Sequence, residues 1–326
     1  MPQILVENLV KTFRVAERRP GLSGAVAGLF ARKSRVVRAL DGASFSIEPG
    51  ELVGYIGPNG AGKSTTVKLL SGILVPDSGR CEVLGRVPWK DRRAHVARLG
   101  VVFGQRTQLW WDLPAGESFE LLRDIYGVAQ ADYAKRLDEL VALLDLAPLL
   151  RTPARQLSLG QRMRCDIAAT LLHAPPILFL DEPTIGLDAP SKLAVRDFVK
   201  RLNRERGVTV ILTTHDLDDV EALCRRVLVV GNGRVLMDGT LESLRAAVTP
   251  ERWLTVDLAE ENGAVEDPDA RVVDREGRRV RLAFDPARVT AAALIARIAA
   301  KHAVRDLFVE NPPIETVIAK LYEGKR

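Results

Sequence analysis

The chain has 326 residues, 47% of them hydrophobic and 27% charged, with a formal net charge of +5. That length exceeds one typical domain and can bury a full core, so one large domain and a smaller one are expected. The basic balance favours an acidic contact such as nucleotide, lipid headgroup or nucleic acid without choosing among them, and Cys81, Cys165 and Cys224, far apart with no CxxC spacing, indicate neither a zinc site nor a disulfide framework.

The start, Met1-Pro2-Gln3-Ile4-Leu5, lacks a basic segment followed by an apolar stretch and does not read as a signal peptide. Strand-like runs at Ile4 to Val6 and Gly42 to Ile47 flank a stretch, residues 14–38, rich in arginine (Arg14, Arg18, Arg19, Arg32, Arg35, Arg38) and broken by Pro20, Gly21 and Gly24. It reads as an insertion between two strands, either a solvated loop or a segment near anionic headgroups or a partner subunit. Leu52 to Ile56 is a short apolar strand, and a helix is expected from Gly62. Glu117 to Tyr126 and the i, i+3, i+4, i+7 set Leu137, Leu140, Val141, Leu144 predict helices, and together suggest a helical subdomain over about 105–170. The most apolar windows, such as Leu140 to Leu150, are interrupted by Asp145 and fall short of the roughly 20 apolar residues a membrane span needs. A membrane role would take its span from a partner.

From Ile177 strands and helices alternate: Ile177 to Leu180, a helix from Pro190, Val208 to Thr213, Leu217 to Leu223, then Val227 to Val230. That is the grammar of a wound α/β sheet. Beyond about Val248 the character shifts. Strand candidates at Trp253 to Leu258, Arg271 to Val273, Val280 to Phe284 and Leu307 to Val309, with helix candidates Val289 to Ala300 and Ile314 to Tyr322, predict a small α+β domain over 248–326.

Gly57-Pro58-Asn59-Gly60-Ala61-Gly62-Lys63-Ser64, followed by Thr65, fits the phosphate-loop pattern between a strand and a helix. Its glycines let backbone N–H groups wrap closely round phosphate, and the helix N-terminus adds positive potential. Lys63 is expected to reach the β and γ phosphates of a nucleotide and Ser64 to give its hydroxyl to Mg²⁺. Leu178-Phe179-Leu180-Asp181-Glu182 is an apolar run ending in two carboxylates, the form in which a buried parallel strand delivers acids to the edge of a sheet. Asp181 suits the metal, and Glu182 suits the water that attacks the γ phosphate. The plainer alternative is that the pair caps the turn at Pro183.

Leu157-Ser158-Leu159-Gly160-Gln161 resembles the signature of the ATP-binding cassette family. The resemblance spans roughly residues 3 to 245. In the family's order it takes in the phosphate loop, Gln105 after Val101 to Phe103, the signature, Asp181-Glu182, the Gly186-Leu187-Asp188 turn, and His215 after Val210 to Thr214. Leu159 departs from it, standing where the family usually has glycine, while Ser158 and Gly160 retain the hydroxyl, the N–H and the helix start.

The resemblance implies an α/β fold with a phosphate-loop nucleotide-binding domain over 1–247, built of a mixed sheet core and a helical subdomain. It also implies ATP lying between two such domains head to tail. The phosphate loop of one then faces Ser158, Gly160 and Gln161 of the other. Gln105 would sense Mg²⁺ and the attacking water, His215 would contact the γ phosphate, and Asp188 would communicate across the dimer. Phe13 matches the position of an aromatic that stacks on adenine; an ordinary core phenylalanine is the alternative. Trp110 and Trp111 either anchor a helix of a membrane subunit or pack inside the helical subdomain.

The long insertion after Phe13, the segment Gln105 to Pro114, Leu157 to Arg164 and the short tail together look most like the ATPase subunits of bacterial viologen and multidrug exporters. This implies a homodimeric motor, peripheral on the cytoplasmic face of the cell membrane, bound to separate permease subunits and not to nucleic acid. An importer ATPase, or a soluble member of the family acting on ribosome or DNA, is the alternative. The tail suggests regulation or dimer support.

Overall fold

The computed structural model describes residues 1–16, 34–104, 106–248, 251–260, 265–312 and 314–323. In chain order the first unit contains β1 (Ile4–Ala16), β2 (Ser34–Ile47), β3 (Leu52–Ile56), α1 (Lys63–Leu70), β4 (Ser78–Val83), α2 (Arg92–Val96), β5 (Leu99–Phe103), α3 (Ala115–Tyr126), α4 (Gln130–Leu144), α5 (Leu159–Leu171), β6 (Ile177–Asp181), α6 (Ala189–Arg206), β7 (Thr209–Thr214), α7 (Leu217–Leu223), β8 (Arg226–Gly231) and β9 (Arg234–Thr240).

Apolar runs without polar alternation become the centre of a six-stranded sheet in the order β5-β6-β7-β3-β8-β9. Every residue of β6 and β7 is buried, as expected of parallel strands covered on both faces. The ladder is parallel from β5 through β8, with Phe103 opposite Asp181, Asp181 opposite Thr213 and Ile56 opposite Thr214. The carboxyl ends of β3, β5, β6 and β7 therefore lie level.

A second, antiparallel sheet has the order β2-β1-β4. In β1 the register shifts between Val6 and Leu9, with Asn8 at φ 48. This bulge buries Val6 and then Leu9, and leaves Asn8 in solvent. Helix α1 contacts β2, β4 and β6, and the shared core holds Ile4, Leu40, Phe45, Tyr55, Val67, Leu70, Val83, Phe179 and Leu228.

Residues 14–38, read from the sequence as an insertion, are in part a continuation of the ladder. Arg14 pairs with Val36, Val15 with Arg35 and Ala16 with Ser34. Arg14, Val15 and Arg35 to Arg38 are all exposed. A hairpin wet on both faces carries no period-two apolar signal, which is why the sequence conceals it. Arg18, Arg19, Pro20, Gly21, Gly24 and Arg32 lie outside the described residues.

The chain divides into compact units at Met1–Gly239 and Thr240–Arg326. The division falls before the composition shift at Val248, because α8 (Leu241–Val248) packs against the last helix, α10 (Ile314–Glu323). Between them come β10 (Arg252–Leu258), β11 (Ala270–Glu276), β12 (Arg279–Phe284), α9 (Ala291–Lys301) and β13 (Val304–Glu310). The strands form an antiparallel sheet, β11-β12-β10-β13. Alternate residues Leu254, Val256 and Leu258 of β10 and Val280, Leu282 and Phe284 of β12 share a core with Leu294 and Ile298 of α9. Among the described residues no helix is long and apolar enough to cross a membrane.

Candidate functional site

Strand β3 runs directly into the glycine loop, and α1 begins at Lys63 with Gly62 as its cap at φ 102. A side chain at Gly62 would need the left-handed region and would place Cβ 2.5 Å from the Ala39 carbonyl, so β2 presses on the loop too closely for any residue but glycine. The Ala61 N–H donates to the Pro58 carbonyl at 3.1 Å. Thr66 Oγ1 donates to the Gly62 carbonyl at 3.1 Å and meets the Tyr55 hydroxyl at 3.1 Å, which pins the first turn of α1 to β3. Pro58, Asn59, Gly60 and Ser64 are exposed, Gly57 and Thr65 half-buried, and Ala61 buried.

Lys63 is only 7% exposed. Its Nζ donates to the Gly57 carbonyl at 2.7 Å and to the Pro58 carbonyl at 3.3 Å. Burial pulls the ammonium below the usual lysine range, while the charges of Glu182 and Asp181 act in the opposite direction. The loop is thus a cationic, N–H-rich surface suited to phosphate.

The end of β6 brings two carboxylates beside it. Asp181 Oδ1 accepts hydrogen bonds from the Thr213 hydroxyl on β7 and from Ser64 Oγ, the latter at 3.3 Å. Glu182 turns the chain at φ 56, in the left-handed region that few non-glycine residues occupy. Its N–H donates to the Thr213 carbonyl at 2.9 Å. Its Oε2 lies 2.7 Å from Nδ1 of His215, the exposed residue that follows β7. The Gly104 N–H donates to the Asp181 carbonyl at 2.7 Å and ties the end of β5 to the same edge. Gln105, next in the chain, lies outside the described residues.

A second group gathers at the start of α5. Ser158 caps the helix through a reciprocal box: its Oγ accepts from the Gln161 N–H at 3.2 Å, and Gln161 Oε1 accepts from the Ser158 N–H at 2.9 Å. Gly160 faces α6 so closely that a Cβ there would lie 2.5 Å from Ser191 Oγ. Asp188 caps α6 by accepting the Ser191 N–H at 2.9 Å, and those hydrogen bonds from Ser191 hold its carboxyl below the usual range. A δ-methyl of Leu159 lies against Gly186 in the turn before Asp188. Among the described residues no hydrogen bond or ion pair joins Ser158, Gly160 or Gln161 to the phosphate loop of the same chain.

Phe13 is half-buried rather than a core residue, paired with Val37 on the hairpin, with Lys11 Nζ 5.7 Å from its ring centroid. Trp110 and Trp111 are 38% and 51% exposed, so neither is packed away in the helical subdomain. The Arg162 guanidinium sits 5.0 Å from the Trp111 ring. Sequence reasoning missed the hydroxyl of Thr213. The only signal for it was the pair Thr213-Thr214 directly after the apolar run Val210 to Leu212. It also missed Asp166 of α5, which accepts from Thr107 Oγ1 at 2.9 Å and from the Gln108 N–H at 3.0 Å.

Backbone amides, a buried lysine and a hydroxyl–carboxylate pair at one sheet edge make the first unit a phosphate-loop nucleotide-binding domain. The family described as ABC transporter matches residues 40–185. The daunorubicin resistance ATP-binding protein DrrA3 of Streptomyces coeruleorubidus is 40% identical over 215 residues, 66% of this chain and 67% of that protein. The methionine import ATP-binding protein MetN of Latilactobacillus sakei is 32% identical over 271 residues, 80% of this chain and 78% of that protein. A solved dimer of the ATP-binding cassette MJ0796, in a post-hydrolysis state with ADP and Pi, superposes with a TM-score of 0.61 at 27% identity, covering 73% of this chain and 98% of that one. The chain belongs to the ATP-binding cassette family: it is an ATPase and the ATP-binding subunit of a transporter.

Proposed function

We propose that the chain is the motor of an exporter, working as a homodimer on the cytoplasmic face of the cell membrane beneath separate permease subunits. The observation that carries the hydrolytic part is the contact between Glu182 and His215 beside Lys63 and Asp181. In this reading the backbone from Gly57 to Thr65 cradles the phosphates of ATP, Lys63 leaves the loop carbonyls for the β and γ oxygens, and Phe13 offers its ring to adenine. Ser158, Gly160, Gln161 and Asp188 of one subunit complete the site on the other, which accords with their standing apart from the loop of their own chain.

Ser64 and Asp181 fit a hard divalent cation. Both present oxygen donors, their hydrogen bond marks them as neighbours, and two protein ligands suit an ion that keeps waters and substrate phosphates. Mg²⁺ there would neutralise charge developing on the phosphates, and the family resemblance assigns Gln105 the sensing of that ion and of the attacking water. Glu182 takes a proton from the attacking water as its oxygen bonds to the γ phosphorus and the bond to ADP breaks. His215 orients the Glu182 carboxylate and contacts the γ phosphate.

Glu182→Gln is expected to bind ATP, to elute as a nucleotide-trapped dimer in size exclusion, and to lose turnover by about a hundredfold or more. Wild-type hydrolysis by that variant would reject the role given to Glu182. The similarity to DrrA3 supports export, whereas the longer match to MetN favours import as a second reading. Direction of ATP-driven flux in vesicles bearing the assembled transporter decides between them.

A further inference from the structure

Directly behind the Glu182–His215 pair lies a charged network that the hydrolytic reading does not use. Asp219, on the first turn of α7, has a fully buried side chain. Its Oδ2 accepts a hydrogen bond from the hydroxyl of Thr184, a buried residue two positions after Glu182. Its Oδ1 accepts from Arg196 Nε at 2.5 Å, and Arg196 Nη2 stands at the same distance. One turn earlier on α6, Lys192 Nζ donates to Asp216 Oδ2 at 2.5 Å, and Asp216 directly follows His215.

Two cations four residues apart on α6 thus grip two carboxylates three residues apart on the segment leaving His215. Asp219 also hooks the segment leaving Glu182. A buried ion pair of this kind contributes little net stability against an apolar replacement. It does fix where its elements sit.

We propose that Arg196, Asp219 and Thr184 form a positioning clamp that sets the approach of His215 to Glu182, and so links the orientation of α6, the helix capped by Asp188, to ATP hydrolysis. The proposal rests on the reading of Glu182 and His215 as the hydrolytic pair. None of the clamp residues need touch the nucleotide. They act by holding the two loop ends, each one to four residues from the pair, against a helix that starts at the subunit-facing turn. A shift of α6 on contact with a second copy of the chain is then transmitted to the pair through rigid, charge-paired side chains.

The test uses the full chain and measures kcat and KM for ATP together with the affinity for a fluorescent ATP analogue. Asp219→Asn and Arg196→Lys are expected to lower kcat about tenfold or more while KM and analogue affinity stay within about twofold, the pattern of a misplaced catalytic group rather than a damaged binding site. Removing one member of a buried charge pair endangers folding, so Thr184→Val, which deletes a hydroxyl at nearly constant volume, carries the decision. It should lower kcat, Thr184→Ser should restore it, and in a His215→Ala background Thr184→Val should add little further loss, because both changes disable the same arrangement.

Wild-type kcat in folded Thr184→Val, no rescue by Thr184→Ser, or full multiplication of its loss with that of His215→Ala would each overturn the clamp. If Glu182→Gln abolishes turnover while Thr184→Val leaves kcat intact, the clamp alone fails. If Glu182→Gln hydrolyses normally, the hydrolytic pair fails and the clamp with it.

Discussion

Glu182 and Asp166 illustrate how single residues carry cost and purpose together. At φ 56 Glu182 occupies a conformation worth roughly 1 kcal/mol or more of strain for a residue with a side chain, and the Thr213 carbonyl holds its N–H there. The turn this produces directs the carboxylate to His215 instead of along β6. Asp166 is almost fully buried, and burial pushes its pKa up to about 6 against the hydrogen bonds from Gln108 and Thr107.

A carboxyl whose folded pKa lies above its unfolded value of 3.8 binds more protons in the native state. Its ionisation therefore costs stability above pH 6, the cost shrinks as pH falls through the window from about 6 to 3.8, and it vanishes below. Two pKa units correspond to at most about 3 kcal/mol. Asp166→Asn keeps an acceptor for Thr107 and Gln108 without the charge. Urea midpoints should show the variant more stable than its parent at pH 8, with the gap closing as pH is lowered towards 4. A gap that does not change with pH would refute this account.

Among the elements, α5 does two jobs with its first turn. The Ser158–Gln161 box satisfies backbone N–H groups at the helix start, and the same Ser158 hydroxyl is the one proposed to meet the ATP of a facing subunit. Ser158→Ala should cost about 1 kcal/mol of stability as a lost cap. It should also lower the ATPase rate far more than that loss explains, with affinity of the monomer for nucleotide unchanged; an unaltered rate would confine Ser158 to capping.

Elements with an unbroken apolar run and a sharp terminus, β3, β6 and β7, are legible in the sequence, as are the contiguous phosphate loop and the Asp181-Glu182 pair. Strand β4 is not, since in Ser78–Val83 only Cys81 and Val83 are buried while Arg80 and Glu82 pair at the surface. The same holds for the outer part of the β1–β2 hairpin, which is wet on both faces. Thr213, Arg196 and Asp219 escape for another reason. Their roles arise from parallel neighbours and helix packing, which bring together residues that no local pattern links, such as Thr213 and Asp181, 32 positions apart.

At the scale of the whole chain, every described residue of the candidate site falls in Met1–Gly239, and Thr240–Arg326 has a sheet and core of its own. A chain ending at Gly239 should therefore keep its affinity for an ATP analogue within about threefold, as expected of a unit with an independent core. If the tail supports pairing, the Glu182→Gln form shortened in this way should need more protein to dimerise in ATP. Equal dimerisation would remove that role from the tail.

The level strand ends described above also bear on how the protein is made. The Ser64 hydroxyl meets Asp181 across 117 residues, and the Gly50 N–H meets Thr209 across 159. Parallel pairing over such separations is slow, because loop closure precedes any gain from contact. On a ribosome adding residues one by one, the phosphate loop emerges early together with β1, β2 and β4, whereas Asp181 of β6 follows Ser64 only 117 residues later. The Ser64–Asp181 contact therefore forms only after β6 has left the exit tunnel.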